Sequence, residues 1–321
     1  MDYDLKVGYA CNNKCLHCVV ESFRYDRSNN EEVKEFNYKY GEIINIVDNL
    51  EPIDNFVVTG GEPTIRKDFM RILRHVRKKA KRVSLQTNGR LLGQYIDDIA
   101  KEGLIDYFVI AMHGFEETHN KVTGHKSGNP YQETLASLRK LKEVCGKELK
   151  HKMRIEIVLS WLNVNEFVDL ADYLIAEGFL NIGISYPHLD GFARTVSLDY
   201  ARSIGFPYTE LSPHIPKLFS LLDKYPNSEI GFEMIPDCVL KDENGNHITN
   251  LPHNYYNMSA HNREITVNFP DRPLTENFAE KIKQSYKKFD ICNKCTKCCD
   301  CVGVWEEYGD MYGSEGLSTI R

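Results

Sequence analysis

The sequence has no long hydrophobic run, and no stretch approaches the ~20 apolar residues that a membrane-spanning helix needs. It begins MDYDLKVGYA, without the charged and apolar segments of a signal peptide, so we expect a cytoplasmic protein. It also lacks an excess of positive charge, because 40 Lys and Arg stand against 46 Asp and Glu. This balance disfavours a main role in coating nucleic acid. Repeats and low-complexity tracts are absent, and 42% hydrophobic residues are typical of a globular fold.

The ten cysteines are strongly clustered. Eight of them fall in two groups, Cys11, Cys15 and Cys18 near the start and Cys292, Cys295, Cys298, Cys299 and Cys301 near the end. In a reducing cytoplasm, such crowding indicates metal binding rather than a disulfide framework. Of the two isolated cysteines, Cys145 follows Leu138 and Leu141 on a predicted helix, and we expect it in the core.

Short segments rich in Val, Ile, Phe and Tyr alternate with amphipathic segments through the first two-thirds of the chain. The former predict strands at 5–9, 55–60, 82–87, 106–112, 153–160 and 181–187. The latter predict helices at 31–48, 66–81, 91–103, 132–145 and 164–178. Such strand–helix units imply a parallel sheet. Six units are too few for a complete eight-fold barrel, so we expect an α/β fold with an open, partial (β/α)6 TIM-like barrel.

The alternation of predicted strands and helices stops near residue 195, and the rest of the chain has a different pattern. It predicts a helix at 209–225, a β-hairpin over 229–250 that turns at Asn244–Gly245, and a helix at 274–289. The last helix leads into the second cysteine group. We therefore predict a main domain at 1–205 and a smaller domain at 206–321 whose cysteine-rich tail binds metal.

The first cysteine group follows the first predicted strand, with its thiols spaced by three and two residues. Three thiolates at this spacing can bind one face of an iron–sulfur cube and leave one iron without a protein ligand. A zinc ion completed by a distant fourth ligand is the alternative.

A second motif, Gly60-Gly61-Glu62-Pro63, follows the second strand. It lies at the carboxyl end of the predicted sheet, where open α/β folds bind ligands. Paired glycines allow backbone to approach a small ligand closely, and a carboxylate can hold an amino group. On its own, the segment is also compatible with an ordinary turn.

Together with the string Ser84–Gly89 (SLQTNG) and the segment Ala111–Gly114, these motifs resemble the radical SAM (S-adenosylmethionine) family over about residues 5–195. The resemblance implies an enzyme that cleaves SAM reductively and abstracts a substrate hydrogen with the resulting 5′-deoxyadenosyl radical. It implies that Cys11, Cys15 and Cys18 hold a 4Fe–4S cluster. The implied SAM contacts are His17 at the adenine, Gly60, Gly61 and Glu62 at the amino group, and Asn88, Gln86 and Tyr186 along the pocket.

The second cysteine group resembles the auxiliary-cluster domain called SPASM, in the one-cluster form called twitch. The implied ligands of one auxiliary 4Fe–4S cluster are Cys238, Cys292, Cys295 and Cys301, although Cys298 or Cys299 could replace Cys301. Two auxiliary clusters would need about eight ligands, more than the remaining cysteines supply. A structural zinc ribbon is the alternative.

The sequence does not identify the catalytic residues, but it offers candidates. The candidates are Cys298 and Cys299, whose thiols could return a hydrogen atom to a substrate radical or be mere bystanders, and His113. Further strand-end candidates, each also explained as a hydrogen-bonded structural residue, are Glu156, Ser160, His188, Asp190 and Arg194.

The end of the chain has the pattern CxxC, five residues, CxG, and then Trp305, Tyr308, Tyr312 and Gly313. It resembles the ends of peptide-modifying members of the family, which implies a ribosomally synthesised peptide as substrate, to be crosslinked, epimerised or dehydrogenated. A first strand near residue 5 leaves no leader-binding extension, so a separate recognition protein would supply that role. The alternatives are a dehydrogenase or epimerase for a small molecule such as an aminoglycoside or sugar, a tRNA-modifying enzyme, and a non-catalytic metal-binding adaptor. The basic run Arg74, Arg77, Lys78, Lys79 and Lys81 is either a solvated helix face or a docking site for an electron donor such as flavodoxin or ferredoxin.

Overall fold

A computed structural model describes residues 2–20, 25–26, 31–32, 37–125, 127–188, 197–248, 250–257, 265–269, 272–277 and 285–321. Its strands are β1 Asp2–Lys6, β2 Tyr25–Asp26, β3 Glu31–Glu32, β4 Ile53–Thr59, β5 Ala80–Thr87, β6 Tyr107–Ala111, β7 Met153–Val158, β8 Asn181–Ser185, β9 Glu229–Glu233, β10 Tyr255–Asn257, β11 Ile265–Phe269, β12 Arg272–Asn277, β13 Tyr286–Lys287 and β14 Val304–Trp305. Its helices are α1 Tyr40–Asp48, α2 Phe69–Val76, α3 Ile96–Glu102, α4 Glu116–Thr123, α5 Pro130–Cys145, α6 Leu149–Lys152, α7 Phe167–Ala176, α8 Leu198–Ile204, α9 Tyr208–Leu211, α10 Ile215–Lys224 and α11 Glu306–Tyr312.

The six predicted strands are confirmed as β1 and β4 to β8, and predicted helices are confirmed as α2, α3, α5 and α7. The second half of the predicted helix 31–48 is present as α1. At its start, Glu31–Glu32 instead pairs with Tyr25–Asp26 as a short antiparallel ribbon, and residues 33–36 lie outside the described residues. The predicted helix 209–225 is present as α9 and α10. No helix in the described part of the chain is long and apolar enough to cross a membrane.

By compactness the chain forms two units: unit 1 comprises 1–112, 119–154 and 263–281, and unit 2 comprises 113–118, 155–262 and 282–321. The predicted domain boundary at 205/206 stays a prediction.

The sheet of unit 1 has the strand order β12-β11-β1-β4-β5-β6 and is parallel except at β12. Alternate residues of β1 are buried, and Tyr3 packs against Phe56 of β4 with ring centroids 5.4 Å apart. Lys6 at the end of β1 pairs with Thr59 at the end of β4, and Val58 pairs with Leu85 of β5. The segments that follow these three strands therefore leave the sheet at one edge, as parallel strands require.

Unit 2 contains the parallel strands β7-β8-β9-β10. The neighbouring helices α7 and α10 are joined by ion pairs between Lys217 and Asp169 and between Lys224 and Asp172. The buried face of β8 and β9 is apolar, with Ile182, Ile184, Ile230 and Phe232 at or near 0% exposure.

The predicted hairpin over 229–250 is confirmed only next to its turn, where Lys241 and His247 form an antiparallel bridge and Asp242 N donates to Asn246 O at 2.8 Å. Its first half is β9, which pairs in parallel with β8 and β10, because a neighbouring strand from elsewhere in the chain supplies its hydrogen bonds. The turn itself is real: Gly245 has φ +80°, and the Asp242 side chain accepts hydrogen bonds from the backbone of Asn244 and Asn246.

The predicted helix over 274–289 is wrong among the described residues. Its beginning belongs to β12, which pairs antiparallel with β11, and its end belongs to β13, which pairs with β14. Residues 278–284 lie outside the described residues. Pro273 suits the edge position of β12, because proline has no amide hydrogen to donate to a further strand.

Candidate functional site

The first cysteine group lies on a loop that begins where β1 leaves the sheet. Backbone hydrogen bonds hold the segment before it against the Gly60–Glu62 turn, from Gly61 N to Gly8 O and from Glu62 N to Ala10 O, both 2.8 Å. The loop is held on its other side by the end of α4, through Lys14 N to Thr123 O at 2.8 Å and Leu16 N to Val122 O at 2.9 Å. The three cysteines are half-buried.

Glycine at 60, 61 and 124 is explained by close backbone contacts around this loop. A Cβ at Gly61 would lie 2.2 Å from the Ala10 carbonyl oxygen, and one at Gly60, which has φ +138°, 2.4 Å from that of Gly8. A Cβ at Gly124, which has φ +51°, would lie 2.5 Å from the Lys14 carbonyl oxygen. Any larger residue would therefore displace the cysteine loop or the chain leading to it.

Glu62 is a buried carboxylate that joins the turn after β4 to the end of β5. Its Oε1 accepts hydrogen bonds from Thr64 N, from Thr64 Oγ1 and from Thr87 Oγ1, and its Oε2 accepts one from Asn88 N at 2.7 Å. Burial raises the pKa of the Glu62 carboxyl, although these donors oppose the rise. The side chain thus fixes the relative positions of two of the predicted site segments.

Asn88 extends this network to the cysteine loop. Its Nδ2 donates to Asn12 Oδ1 at 2.7 Å and lies 3.8 Å from Cys11 Sγ, and the Asn13 amide lies 3.4 Å from the same sulfur. Its carbonyl oxygen accepts from Thr134 Oγ1. Gln86, the other predicted pocket residue of β5, accepts from Thr59 Oγ1 at 3.1 Å.

His17 lies near a second histidine that the sequence reasoning did not use as a site residue. His119 on α4 is buried, and burial lowers its pKa to about 3, with the nearby His17, Arg90 and His125 contributing further. His119 is therefore neutral at physiological pH.

Three thiols of the second cysteine group lie near the isolated Cys238. Burial raises the pKa of Cys238 to about 11, and Cys301, Cys292 and Cys295 add to the rise. Cys301 Sγ accepts from Gly303 N at 3.4 Å, and Gly303 has φ +97° with its Cα facing the Lys287 carbonyl oxygen. These four thiols are the predicted ligands of the auxiliary cluster.

The donor sets fit iron–sulfur chemistry. Each group supplies thiols on a loop held by backbone hydrogen bonds, with amides directed at ligand sulfurs, as in cluster sites. Among the described residues, no three Cys, His, Asp or Glu side chains come close enough to hold one metal ion. In a 4Fe–4S cluster each cysteine binds a different iron, so its ligands are spread over a cube.

A comparison with protein families agrees with this site. The sequence profile of the Radical SAM superfamily matches residues 5–178, more than half of the chain. The chain belongs to the radical SAM superfamily. It is therefore a radical SAM enzyme, and its cofactors include SAM and a 4Fe–4S cluster.

Curated relatives match this radical SAM chain in part. Fe-coproporphyrin III synthase from Methanosarcina barkeri is 30% identical over 118 residues, 36% of this chain and 28% of that protein. GTP 3′,8-cyclase from Synechocystis sp. is 27% identical over 165 residues, 51% of this chain and 47% of that protein. The chain thus spans less than half the length of either relative.

Solved structures match the radical SAM chain over nearly its whole length. Native anSMEcpe with bound AdoMet has a TM-score of 0.64 at 16% identity, covering 99% of this chain and 92% of that one. Streptococcus suis SuiB bound to precursor peptide SuiA has a TM-score of 0.59 at 15% identity, covering 100% and 74%. These matches confirm the predicted fold, an α/β partial barrel followed by a small SPASM-like C-terminal region.

Most of the strand-end candidates lie in unit 2 and make hydrogen bonds or ring contacts there. His113 Nδ1 accepts from Val158 N at 3.2 Å, so its neutral ring carries the proton on Nε2. Asn163 Oδ1 accepts from Ser160 N at 2.6 Å, Ser185 Oγ donates to Glu156, and the ring of His188 lies 4.8 Å from that of Trp305. Asp190 and Arg194 lie outside the described residues.

The hydroxyl of Tyr186 donates to Phe206 O at 2.7 Å and accepts from Phe206 N at 3.1 Å. Its ring is fully buried in an aromatic cluster with Tyr208 and Tyr308, and burial raises its pKa well above the usual value. The place of Tyr186 along the SAM pocket stays a prediction.

Three further expectations concern single residues and the basic run. Cys299 is exposed and Cys298 half-buried, and Cys145 is half-buried rather than fully in the core, because α5 turns its last residue toward solvent.

Most side chains of the basic run donate hydrogen bonds to nearby acceptors. Arg74 bonds to Glu102, Arg77 to Asp106, Lys79 to the carbonyls of Asp48 and Leu50, and Lys81 to Asp54.

Sequence reasoning missed Arg90, which directly follows the SLQTNG string. Its side chain is only 6% exposed and donates to the cysteine loop at Asn12 O and Asn13 Oδ1. A charged residue next to a recognised motif was the available signal, since an arginine is rarely buried without specific partners.

Proposed function

We propose that Cys11, Cys15 and Cys18 hold the cluster that binds SAM. The proposed SAM contacts are His17, Gly60, Gly61, Glu62, Asn88 and Tyr186. The observation that supports the assignment is the meeting of the loops after β1, β4 and β5 at one edge of the unit 1 sheet. When bound, the reduced cluster supplies the electron that cleaves SAM and gives the radical that abstracts a substrate hydrogen.

The chain's own residues then have to position the substrate next to the radical. A primary radical reacts with almost any C–H bond, so selectivity requires that one carbon be held within near-attack distance and that water be excluded. The hydrogen bonds of Glu62 and Asn88 keep three loops in fixed relation, which is the rigidity that such positioning needs.

For the C-terminal region, we propose one auxiliary 4Fe–4S cluster on Cys238, Cys292, Cys295 and Cys301. The nearness of Cys292, Cys295 and Cys301 to Cys238 supports this set. The thiols of Cys298 and Cys299 are then left as candidates for returning a hydrogen atom to the substrate, and His113 stays a further catalytic candidate with no assigned role.

As substrate we propose a ribosomally synthesised peptide that is crosslinked, epimerised or dehydrogenated. Support comes from the likeness of fold, through the C-terminal region, to a structure that contains a bound precursor peptide. The second candidate is a small molecule, such as an aminoglycoside or sugar, and the partial match to GTP 3′,8-cyclase supports this class. A tRNA substrate is the third candidate.

The test begins with anaerobic reconstitution. The wild-type chain should bind about eight iron atoms and, when reduced, form 5′-deoxyadenosine from SAM. Short peptides encoded beside its gene, and separately small molecules of neighbouring biosynthetic genes, are then added and followed by mass spectrometry. A peptide product with a changed mass supports the first candidate. Because epimerisation leaves the mass unchanged, that reaction is followed in D₂O by the uptake of deuterium at the altered carbon. Turnover of small molecules alone contradicts it, and a chain that forms no 5′-deoxyadenosine contradicts the whole assignment.

The proposal carries further predictions. A flavodoxin or ferredoxin would deliver the electron, although the ion pairs of the basic run reduce the free positive charge available to dock it. A separate leader-recognition protein, a cytoplasmic location and the domain division at 205/206 belong to the same set of predictions.

A further inference from the structure

Arg90 is a buried cation whose hydrogen bonds converge on the cysteine loop. Its Nη1 donates to Asn12 O at 2.7 Å and to Asn13 Oδ1 at 2.9 Å. Its Nη2 donates to Ser127 O at 2.6 Å, and its Nε donates to the Glu133 carboxylate. The guanidinium is always protonated, so a permanent positive charge lies in this site.

The two loop contacts fall between the first two cysteines of the motif. Asn12 directly follows Cys11, and Asn13 is itself buried at 2% exposure. The opposite side of Asn12 is held by Asn88 Nδ2. Arg90 therefore fixes the part of the backbone that sets the distance between Cys11 and Cys15.

We propose that Arg90 is a positioning residue for this loop and that its charge raises the reduction potential of the cluster. This inference rests on the proposed assignment of that cluster to Cys11, Cys15 and Cys18. One-electron reduction makes a thiolate-ligated cluster more negative, and a nearby buried positive charge favours the more negative state. Arginine suits the position because its planar fork satisfies several oxygens at once, which lysine cannot do.

Glu133 is the counter-charge that limits this effect. Burial raises its pKa, but the hydrogen bond and charge of Arg90 outweigh burial and leave the pKa below its ordinary value. The pair is packed closely, since a Cβ at Gly128 would lie 2.2 Å from Glu133 Oε1 and 2.9 Å from Arg90 Nη2. Among the described residues, Glu133 accepts hydrogen bonds from Arg90 Nε and Asn129 N but from none of residues 11–18, so the two charges can be altered separately.

The test compares Arg90→Met, Arg90→Lys and Glu133→Gln in the full chain. Redox titration follows the electron paramagnetic resonance signal that shifts when SAM is added, because only a cluster with an open iron responds to SAM. Hydrogen–deuterium exchange of residues 11–18 in the cluster-free protein reports loop order independently of any cofactor. Circular dichroism confirms that each variant is folded.

Arg90→Met should lower the midpoint potential and speed exchange in the loop by about tenfold or more, since charge-assisted hydrogen bonds are lost. Arg90→Lys should speed exchange but keep the potential near that of wild type, because it retains the charge. Glu133→Gln should raise the potential and leave exchange nearly unchanged. If Arg90→Met does not fold, Arg90→Lys still tests the positioning role of Arg90 and Glu133→Gln still tests the electrostatic role.

Unchanged potentials in Arg90→Met and Glu133→Gln, or shifts of the same sign, overturn the electrostatic role. Unchanged loop exchange in both arginine variants overturns the positioning role. A wild-type protein without any SAM-sensitive signal overturns the cluster assignment itself. Failure of the proposed function is thereby distinguished from failure of this inference.

Discussion

Gly124 offers the sharpest test of how the cysteine loop is held. It has φ +51°, and a Cβ there would lie 2.5 Å from the Lys14 carbonyl oxygen, whereas ordinary contact begins at 3.4 Å. Gly124→Ala must therefore move the loop by about 0.9 Å, a displacement that breaks or weakens the bonds from Lys14 N and Leu16 N to the end of α4.

A matched control variant separates the cost of the close contact at Gly124 from the cost of its left-handed backbone conformation. Gly103 caps α3 with φ +61°, and a Cβ there meets nothing within 4 Å. Gly103→Ala should lower the free energy of unfolding only by the cost of placing alanine in a left-handed backbone conformation, about 1 kcal/mol. Gly124→Ala should cost that amount plus two weakened hydrogen bonds at about 0.5–1.5 kcal/mol each, or roughly 2–4 kcal/mol in total.

Urea unfolding of the cluster-free protein measures both variants, and iron content after reconstitution gives a second readout. We expect Gly124→Ala to unfold at lower urea than Gly103→Ala and to retain less iron. Equal free energies of unfolding for the two variants, with equal iron content, would refute the close-contact explanation of Gly124.

Three further predictions concern the two cysteine groups and the carboxylate. Glu62→Gln places an amide NH₂ against donors such as Asn88 N, so it should destabilise the cluster-free protein by about 1–3 kcal/mol in urea unfolding. Cys15→Ala should abolish 5′-deoxyadenosine formation while leaving the auxiliary cluster's iron, about four atoms per chain. Cys301→Ala should lose the auxiliary iron but keep much SAM cleavage, whereas Cys298→Ala should keep both, and equal iron loss in these two variants would contradict the ligand set.

The unpredicted parts of the fold share one origin. The strand β9 was predicted as half of a hairpin, and β12 and β13 as parts of one helix, because local periodicity does not show which distant strand supplies hydrogen bonds. In contrast, β1 and β4 to β8 carry dense apolar segments bounded by helices, a pattern that is visible locally. The turn at Asn244–Gly245 was predicted for the same reason, since a tight turn, here closed by hydrogen bonds between Asp242 and both Gly245 and Asn246, depends on its own residues.

By itself, the sequence determined the superfamily of this chain, because cysteine spacing and the order of motifs along the strands are properties of contiguous residues. Only the tertiary structure decided how the site is held. Arg90 reaches the carbonyl of Asn12, 78 positions away, and that of Ser127, 37 positions away. Gly124 is required by the backbone of Lys14, which approaches it only in the folded chain. Such contacts depend on packing between distant segments, and no local pattern encodes them.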